Sequence, residues 1–148
     1  MQHPDRINDA IKEAQLYIDN YSNGASLAQA RTLHARAKWL AGDAAGAASL
    51  FDAIFQEASA GDITPGYKLA PCLKAGLSAA RAYLAAGETL PAREAFSKLM
   101  QRADSGIVEL EEDSTARYVL QKLSLEARAG EGFALIAAKQ AKQAITFF

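Results

Sequence analysis

Residues Ala35–Phe55 read ARAKWLAGDAAGAASLFDAIF and predict two helices joined by a tight turn. The first helix is expected to end at Gly42, because glycine takes the left-handed conformation that follows many helix ends. Asp43 comes next, where its side chain can accept hydrogen bonds from the free N–H groups of the second helix. Residues Ala80–Met100, ARAYLAAGETLPAREAFSKLM, repeat this arrangement with Gly87 at the turn. The sequence therefore predicts a repeated antiparallel helix pair.

Length and composition are those of a single helical domain. The chain has 148 residues, the size of one ordinary domain. A domain of that size buries roughly 68–70% of its unfolded surface, so it needs no disulfide or metal to fold. Half of the residues are apolar, and many of them are alanine, the strongest helix former. Only four prolines are present. The long segments between breaker residues suit helices better than strands, so an all-α fold is predicted.

Charge and hydropathy argue against several classes of function. The net charge of −1 gives no bulk attraction to nucleic acid or to a membrane surface. No run of about 18 apolar residues is present, so no membrane-spanning helix is predicted. The N-terminal stretch MQHPDRINDA lacks the apolar segment of a signal peptide. The single cysteine, Cys72, rules out an internal disulfide and fits a reducing compartment, so we expect a cytoplasmic protein.

Breaker residues divide the chain into about seven predicted helices. The first covers Pro4–Asn20, and three of equal length, here called the A helices, each end before a glycine. The A helices are predicted over Ser26–Ala41, Pro71–Ala86 and Ser114–Ala129. Their partner helices are predicted to begin at Asp43, at Thr89 and at about Glu131, and the second of these to end at Asp104-Ser105-Gly106.

Local signals support these helix starts. Ser26 and Gln29 have the spacing of a capping box, and Pro71 is of the type that helices accept in their first turn. An apolar stripe on the first A helix is predicted to face inward, and it consists of Leu27, Ala30, Leu33, Ala37 and Leu40.

The three glycines that follow the A helices are 45 and 43 residues apart, at Gly42, Gly87 and Gly130. A repeat of 20 to 50 residues indicates units that bury their apolar faces on one another. We therefore predict one domain over 1–148, a short right-handed stack of hairpins. Its expected parts are a capping helix within 1–24, a first hairpin in 25–60, a second in 61–104 that includes a long connector, and a degenerate third in 105–148.

The first two hairpins resemble the tetratricopeptide repeat (TPR) family. That family places a glycine between two helices, a small residue five positions later, an aromatic nine later and a packing residue twelve later. A small residue also stands seven positions before the glycine. The matching residues are Ala35, Gly42, Ala47, Phe51 and Ile54 in one hairpin, and Ala80, Gly87, Ala92, Phe96 and Leu99 in the other.

The chain also departs from the TPR pattern. Its period exceeds the ~34 residues of a TPR and approaches the ~40–47 of HEAT-like repeats, so an irregular α-solenoid is the alternative fold. Lys38 stands where the second hairpin has Tyr83, and the third hairpin has Leu123 and Lys139 in place of the small and aromatic residues. The resemblance implies a scaffold that holds a peptide or helix in a concave groove lined by the A helices.

Basic residues concentrate on the A helices, which points to an acidic ligand. The A helices carry eight of the sixteen basic residues and one of the seventeen acids. In the TPR-like register Arg36 and Arg81 share one groove-facing position, and arginine suits a carboxylate. The alternative is that some of these side chains only complement helix C-termini or are solvated. The predicted partner-binding groove, for an acidic peptide or a C-terminal carboxylate, comprises Arg36, Arg81, Lys74, Arg117, Gln29 and Trp39.

No catalytic, cofactor or metal site is predicted. The chain has no Gly-x-Ser-x-Gly elbow, phosphate-binding glycine loop or HExxH motif. His34 has no second ligand at metal-binding spacing, and Cys72 is best explained as a buried thiol. Trp39 is an interaction anchor or, the favoured interpretation, a partly buried packing residue.

The last residues, Ile145-Thr146-Phe147-Phe148, are strongly apolar. Terminal units of solenoids usually have a polar outer face, so we expect this segment to be covered by self-association, by a partner or by the chain itself. A homodimer through the C-terminal helix follows from the first option. Membrane binding is the weaker option, because only Lys139 and Lys142 would meet anionic lipid.

The sequence therefore predicts a non-enzymatic protein–protein interaction module, an adaptor or chaperone-like binder. The alternative is a regulatory or sensor protein that binds a small ligand or a signalling peptide on the same scaffold. A long open groove would favour the module, and a closed cavity would favour the sensor.

Overall fold

The chain folds into six helices within the residues that the computed structural model describes, which are 4–21, 26–59, 69–108 and 115–147. The helices are α1 Pro4–Asn20, α2 Leu27–Leu40, α3 Ala44–Ser59, α4 Leu69–Ala85, α5 Thr89–Val108 and α6 Thr115–Phe147. Helices account for 93% of these residues, and none of them is in a strand. The prediction of an all-α fold is confirmed.

The two glycine turns predicted from the sequence are both present. Gly42 has a φ of 90° and Gly87 a φ of 80°, the left-handed region that favours glycine. The N–H of Asp43 donates to the carbonyl of Lys38 at 3.0 Å, and the equivalent bond from Glu88 measures 2.9 Å. These bonds satisfy carbonyl groups that would otherwise be unpaired at the ends of α2 and α4.

The starts of the helices follow the predictions less uniformly. Asp43 caps α3 as expected, because its Oδ1 accepts a 2.8 Å hydrogen bond from the N–H of Gly46. Ser26 precedes α2 but makes no side-chain capping bond, so the predicted capping box is wrong. The φ of −92° and ψ of 1° at Ser26 differ from the extended conformation that aims a capping oxygen at the helix.

Proline lies inside the first turn of α4. The helix begins at Leu69, two residues before the predicted start at Pro71. A proline is accepted there because the first four N–H groups of a helix have no intrahelical acceptor. Residues 61–68, which include most of the expected long connector, and residues 109–114 lie outside the described residues, as do the side chains of 141–148.

Two predicted helix ends are wrong. Helix α5 continues through Asp104-Ser105-Gly106 to Val108, and α6 continues through Gly130 to Phe147. The two helices expected on either side of Gly130 are therefore one helix, which reduces the predicted seven to six in the described part of the chain. A Cβ atom at Gly130 would overlap the ring of Phe96. Glycine is needed at this position for close packing and not for a turn.

The core consists of two neighbouring clusters with many alanines. The first joins α2, α3 and α4 and contains Ala35, Ala47, Phe51, Ile54, Cys72, Ala75 and Ala79. The second joins Phe55 of α3 to α4, α5 and α6, and its largest members are Phe55, Leu73, Phe96, Leu99 and Leu120. Tyr83 packs against both clusters. The small alanine side chains let the helices approach closely around the phenylalanine rings.

Polar contacts also join consecutive helices. Arg31 of α2 pairs with Glu57 of α3 at 2.6 Å. Asp104 of α5 accepts bonds from the Ser124 hydroxyl at 2.5 Å and from Arg128 at 3.0 Å, both on α6. The last two bonds fix the register between α5 and α6. None of the described helices, including the 33-residue α6, combines the length and the apolar character of a membrane-spanning helix.

Substitution of Gly130 by alanine tests the packing role of this residue. Overfilled cores lose about 1–3 kcal/mol, so we expect the free energy of unfolding of Gly130→Ala to be lower by that amount than that of Gly132→Ala, which gains the same helix propensity. Gly132→Ala is the matched control on the same helix, because a Cβ atom there meets nothing within 4 Å. The control is expected to gain up to about 1 kcal/mol from helix propensity. Urea unfolding of both variants measures the effects, and a stabilised Gly130→Ala protein would contradict the packing role.

Candidate binding surface

Helix α1 is covered on one side only. It packs against α2, and none of its residues is buried. Ile7, Ile11, Ala14 and Ile18 form an apolar stripe at helical spacing, yet each remains partly exposed. An apolar stripe without a complete cover is a feature of surfaces that bind another molecule.

An open groove runs between α1 and α2. Its volume is about 550 Å³, within the range of known ligand sites. The α1 wall consists of Ala10, Glu13, Ala14 and Tyr17, and the α2 wall of Ser26, Gln29, Ala30, Leu33, Arg36, Ala37 and Leu40. Leu33 is 58% exposed and Leu40 is 61% exposed. The prediction that these two leucines face inward is therefore wrong, because no described element covers their side of α2.

The groove has one charge of each sign. Glu13 lies on the α1 wall and Arg36 on the α2 wall, on either side of the apolar floor. Within the described part of the chain neither side chain has an ion-pair partner. The polar groups are few and the floor is apolar, as in sites that use charge to orient a mainly apolar ligand.

The structure separates the predicted groove residues into two places. Gln29 and Arg36 line the α1/α2 groove. Arg81 lines a different cavity of about 300 Å³ among α4, α5 and α6, where it pairs with Glu126 at 3.1 Å. Lys74 is exposed on α4, and Arg117 is partly buried on α6. A single basic stripe through all of these residues stays a prediction.

Trp39 packs away from the α1/α2 groove. Its ring meets Phe51 of α3 edge to face, with 6.3 Å between the centroids. The side chain is partly buried against the first core cluster. This contact holds α2 against α3, which explains Trp39 without a ligand.

His34 and Cys72 are buried groups without a metal-binding neighbourhood. Burial, together with the positive charge of Lys38, lowers the pKa of His34, while Asp19 on α1 acts in the opposite direction. Burial raises the pKa of the Cys72 thiol, so the thiol stays protonated at neutral pH. Among the described residues no three His, Cys, Asp or Glu side chains gather around a common point.

The sequence did not single out the α1 side of the groove. Glu13 and Tyr17 lie on a helix expected only to cap the stack, and Leu33 and Leu40 were assigned to the interior. The available signal was the predicted apolar stripe of α2, to which Leu33 and Leu40 belong. Periodicity identifies such a stripe, but it does not tell whether the chain itself covers it.

Comparison of the chain with known protein families, with curated proteins and with solved structures finds no match in any of the three. The resemblance to tetratricopeptide repeats stays a prediction from the sequence.

The buried position of His34 predicts a loss of stability in mild acid. The pKa of His34 is lowered from its ordinary 6.5 in the folded chain, so the unfolded chain binds the proton more readily. The stability contributed by neutral His34 is complete above about pH 6.5 and is lost as the pH falls through the lowered pKa.

Urea unfolding at pH 7.5, 6 and 5 measures this loss, with His34→Gln as the comparison. We expect the wild type to lose stability over this range and His34→Gln to lose distinctly less. His3 is the same in both proteins and cancels. If the free energy of unfolding depended on pH equally in the two proteins, burial of His34 would not be the cause of the loss of stability in acid.

Proposed function

We propose that the protein is a non-enzymatic protein-interaction module, an adaptor or chaperone-like binder with a TPR-like, right-handed hairpin stack. The observation that carries the proposal is the open apolar groove between α1 and α2, with Arg36 and Gln29 on its α2 wall. The location that best fits such a module is the cytoplasm.

The shape of the groove suits a peptide or a helix. Both walls carry alanines, which let the backbone of a bound segment approach closely, and two leucines offer apolar side chains to it. Recognition of an amphipathic helix in an apolar groove is a common mode of peptide binding. Leu33 and Leu40 are both more than half exposed on this face. Covering them with a partner removes apolar surface from water and stabilises the complex.

Arginine supplies the expected preference for acidic ligands. The guanidinium of Arg36 can bind a carboxylate through two hydrogen bonds, and it forms no ion pair among the described residues. Arg81 differs, because its ion pair with Glu126 must open before Arg81 can bind a carboxylate from a ligand. Arg36 is therefore the stronger of the two predicted anchors.

A sensor that binds a small ligand is the second candidate function. The cavity of about 300 Å³ beside Arg81 favours it, because Leu84, Phe96 and Phe133 supply an apolar surface next to the Arg81–Glu126 pair. A small carboxylic acid with an apolar body fits this chemistry. Binding of such a small carboxylic acid that is lost in Arg81→Glu but not in Arg36→Glu would favour the sensor over the module.

Binding of labelled acidic peptides tests the proposed function. Fluorescence anisotropy compares an amphipathic peptide that carries glutamates on one flank of its apolar stripe with the same peptide carrying glutamines there. We expect the wild type to prefer the acidic peptide, and Arg36→Glu to weaken that complex about two- to thirtyfold. This range follows because an exposed ion pair contributes ~0.2–1 kcal/mol and its reversal adds repulsion of similar size.

Lys98→Glu is the matched control, since Lys98 is an exposed lysine on α5 and its substitution changes the net charge equally. The control should bind the acidic peptide almost as well as the wild type. Equal affinity of both peptides for every variant would contradict a basic ligand-binding surface.

A further inference from the structure

We propose that the α1/α2 groove binds one amphipathic α-helix of another protein, with an acidic residue on one flank of its apolar stripe and a basic residue on the other. This inference rests on the proposed function and deepens it by naming the class of partner.

The dimensions of the groove fit a helix of about four turns. The α2 wall extends from Ser26 to Leu40, which at 1.5 Å per residue corresponds to roughly 21 Å. The α1 wall is shorter and extends from Ala10 to Tyr17, roughly 10 Å, so the helix would lie along α2 and meet α1 over about two turns. The groove is open to solvent, so it receives a stripe of side chains while the rest of the helix stays outside.

The walls favour a helical ligand over an extended one. Both are helices, whose backbone groups are internally bonded and offer no strand edge to an extended peptide. Ala10 and Ala14 on α1 face the groove together with Ala30 and Ala37 on α2. Small residues on both sides allow the side-chain ridges of a partner helix to enter the groove.

A partner helix in the groove would complete the packing of α1. Helix α1 has no buried residue, although it carries an apolar stripe. Leu33 and Leu40 stand beside that stripe with most of their surface exposed. One helix laid over the seam would cover the leucines and the half-exposed side of α1 at the same time.

The charges define the flanks of the partner helix. Arg36 on the α2 side calls for an acidic residue, and Glu13 on the α1 side calls for a basic one. A helix turned end for end exchanges its flanks, so this pair of charges also selects the direction in which the partner lies. A partner with acids on both flanks would meet repulsion from Glu13.

A second copy of the chain fits the groove less well. Its α6 has exposed apolar residues, such as Phe133 and Ile136. However, the apolar side of α6 is already engaged by α4 and α5 as far as Ala134. The packed side of α6 is therefore not free to occupy the α1/α2 groove of a second copy.

Four synthetic helical peptides of about 16 residues test this inference. All share one Leu/Ala stripe, and their flanks are acid/base, acid/acid, base/base or Gln/Gln. Fluorescence anisotropy measures their affinity for the wild type, Arg36→Glu, Glu13→Lys and Leu33→Glu. Leu125→Glu serves as the control, because Leu125 is equally exposed but lies on α6, away from the groove.

We expect the wild type to bind the acid/base peptide about two- to fivefold more tightly than the others, the size expected for exposed ion pairs. Arg36→Glu should shift the preference to the base/base peptide, and Glu13→Lys to the acid/acid peptide. Leu33→Glu should weaken all four complexes at least tenfold, and Leu125→Glu should weaken none. The two charge variants alter exposed side chains, so they test the inference even if Leu33→Glu does not fold.

Unchanged peptide preference in both charge variants would overturn the inference. Light scattering adds a second test: a dimer of the wild type that Leu33→Glu dissociates would show that a second copy occupies the groove, which also overturns it. If acidic peptides bind and lose affinity in Arg81→Glu but not in Leu33→Glu, the inference fails while the proposed binding function stands.

Discussion

The contact between a phenylalanine ring and a glycine of a later helix fixes how the helices of this protein stack. The ring of Phe55 on α3 lies where a Cβ atom of Gly76 on α4 would be, and Phe96 on α5 has the same relation to Gly130 on α6. Each helical glycine costs about 1 kcal/mol relative to alanine. Burial of a phenylalanine side chain contributes about 1.5–3 kcal/mol, which offsets that cost and holds each helix on the preceding hairpin.

The first helix lacks such a contact, and this difference creates the candidate binding surface. No residue of α1 is buried, and the side chains that line its groove with α2 include alanines and the exposed Leu33 and Leu40, so among the described residues no buried ring closes the seam between them. The interior pairs α3/α4 and α5/α6 are instead closed by the two rings. The same alanine-rich composition that permits tight packing around phenylalanine leaves an open groove where phenylalanine is missing. Arg36 and Glu13 then give that groove its chemical character.

Local features of the fold could be predicted from the sequence, and features that depend on distant residues could not. Gly42 and Gly87 were identified correctly because a left-handed helix end is set by nearby backbone groups. Gly130 stands in the same sequence context, but its role depends on Phe96, which no local pattern reveals. The exposed Leu33 was misjudged for a related reason, since periodicity predicts an apolar face and leaves its cover undefined. Gln29 and Arg36 do line a groove. Its other wall is α1, however, and the charge pattern of the A helices gives no information about that helix.

The most direct test of the claim that the α1/α2 groove is the binding surface is the location of a bound helix by NMR. The isotope-labelled protein is titrated with the peptide that has one acidic and one basic flank, while amide and methyl shifts are followed. The claim predicts that the largest shifts fall in residues 10–17 and 26–40, with the methyl groups of Leu33 and Leu40 among them. Largest shifts around Arg81 and Phe133, or no localised shifts at saturating peptide, would contradict it.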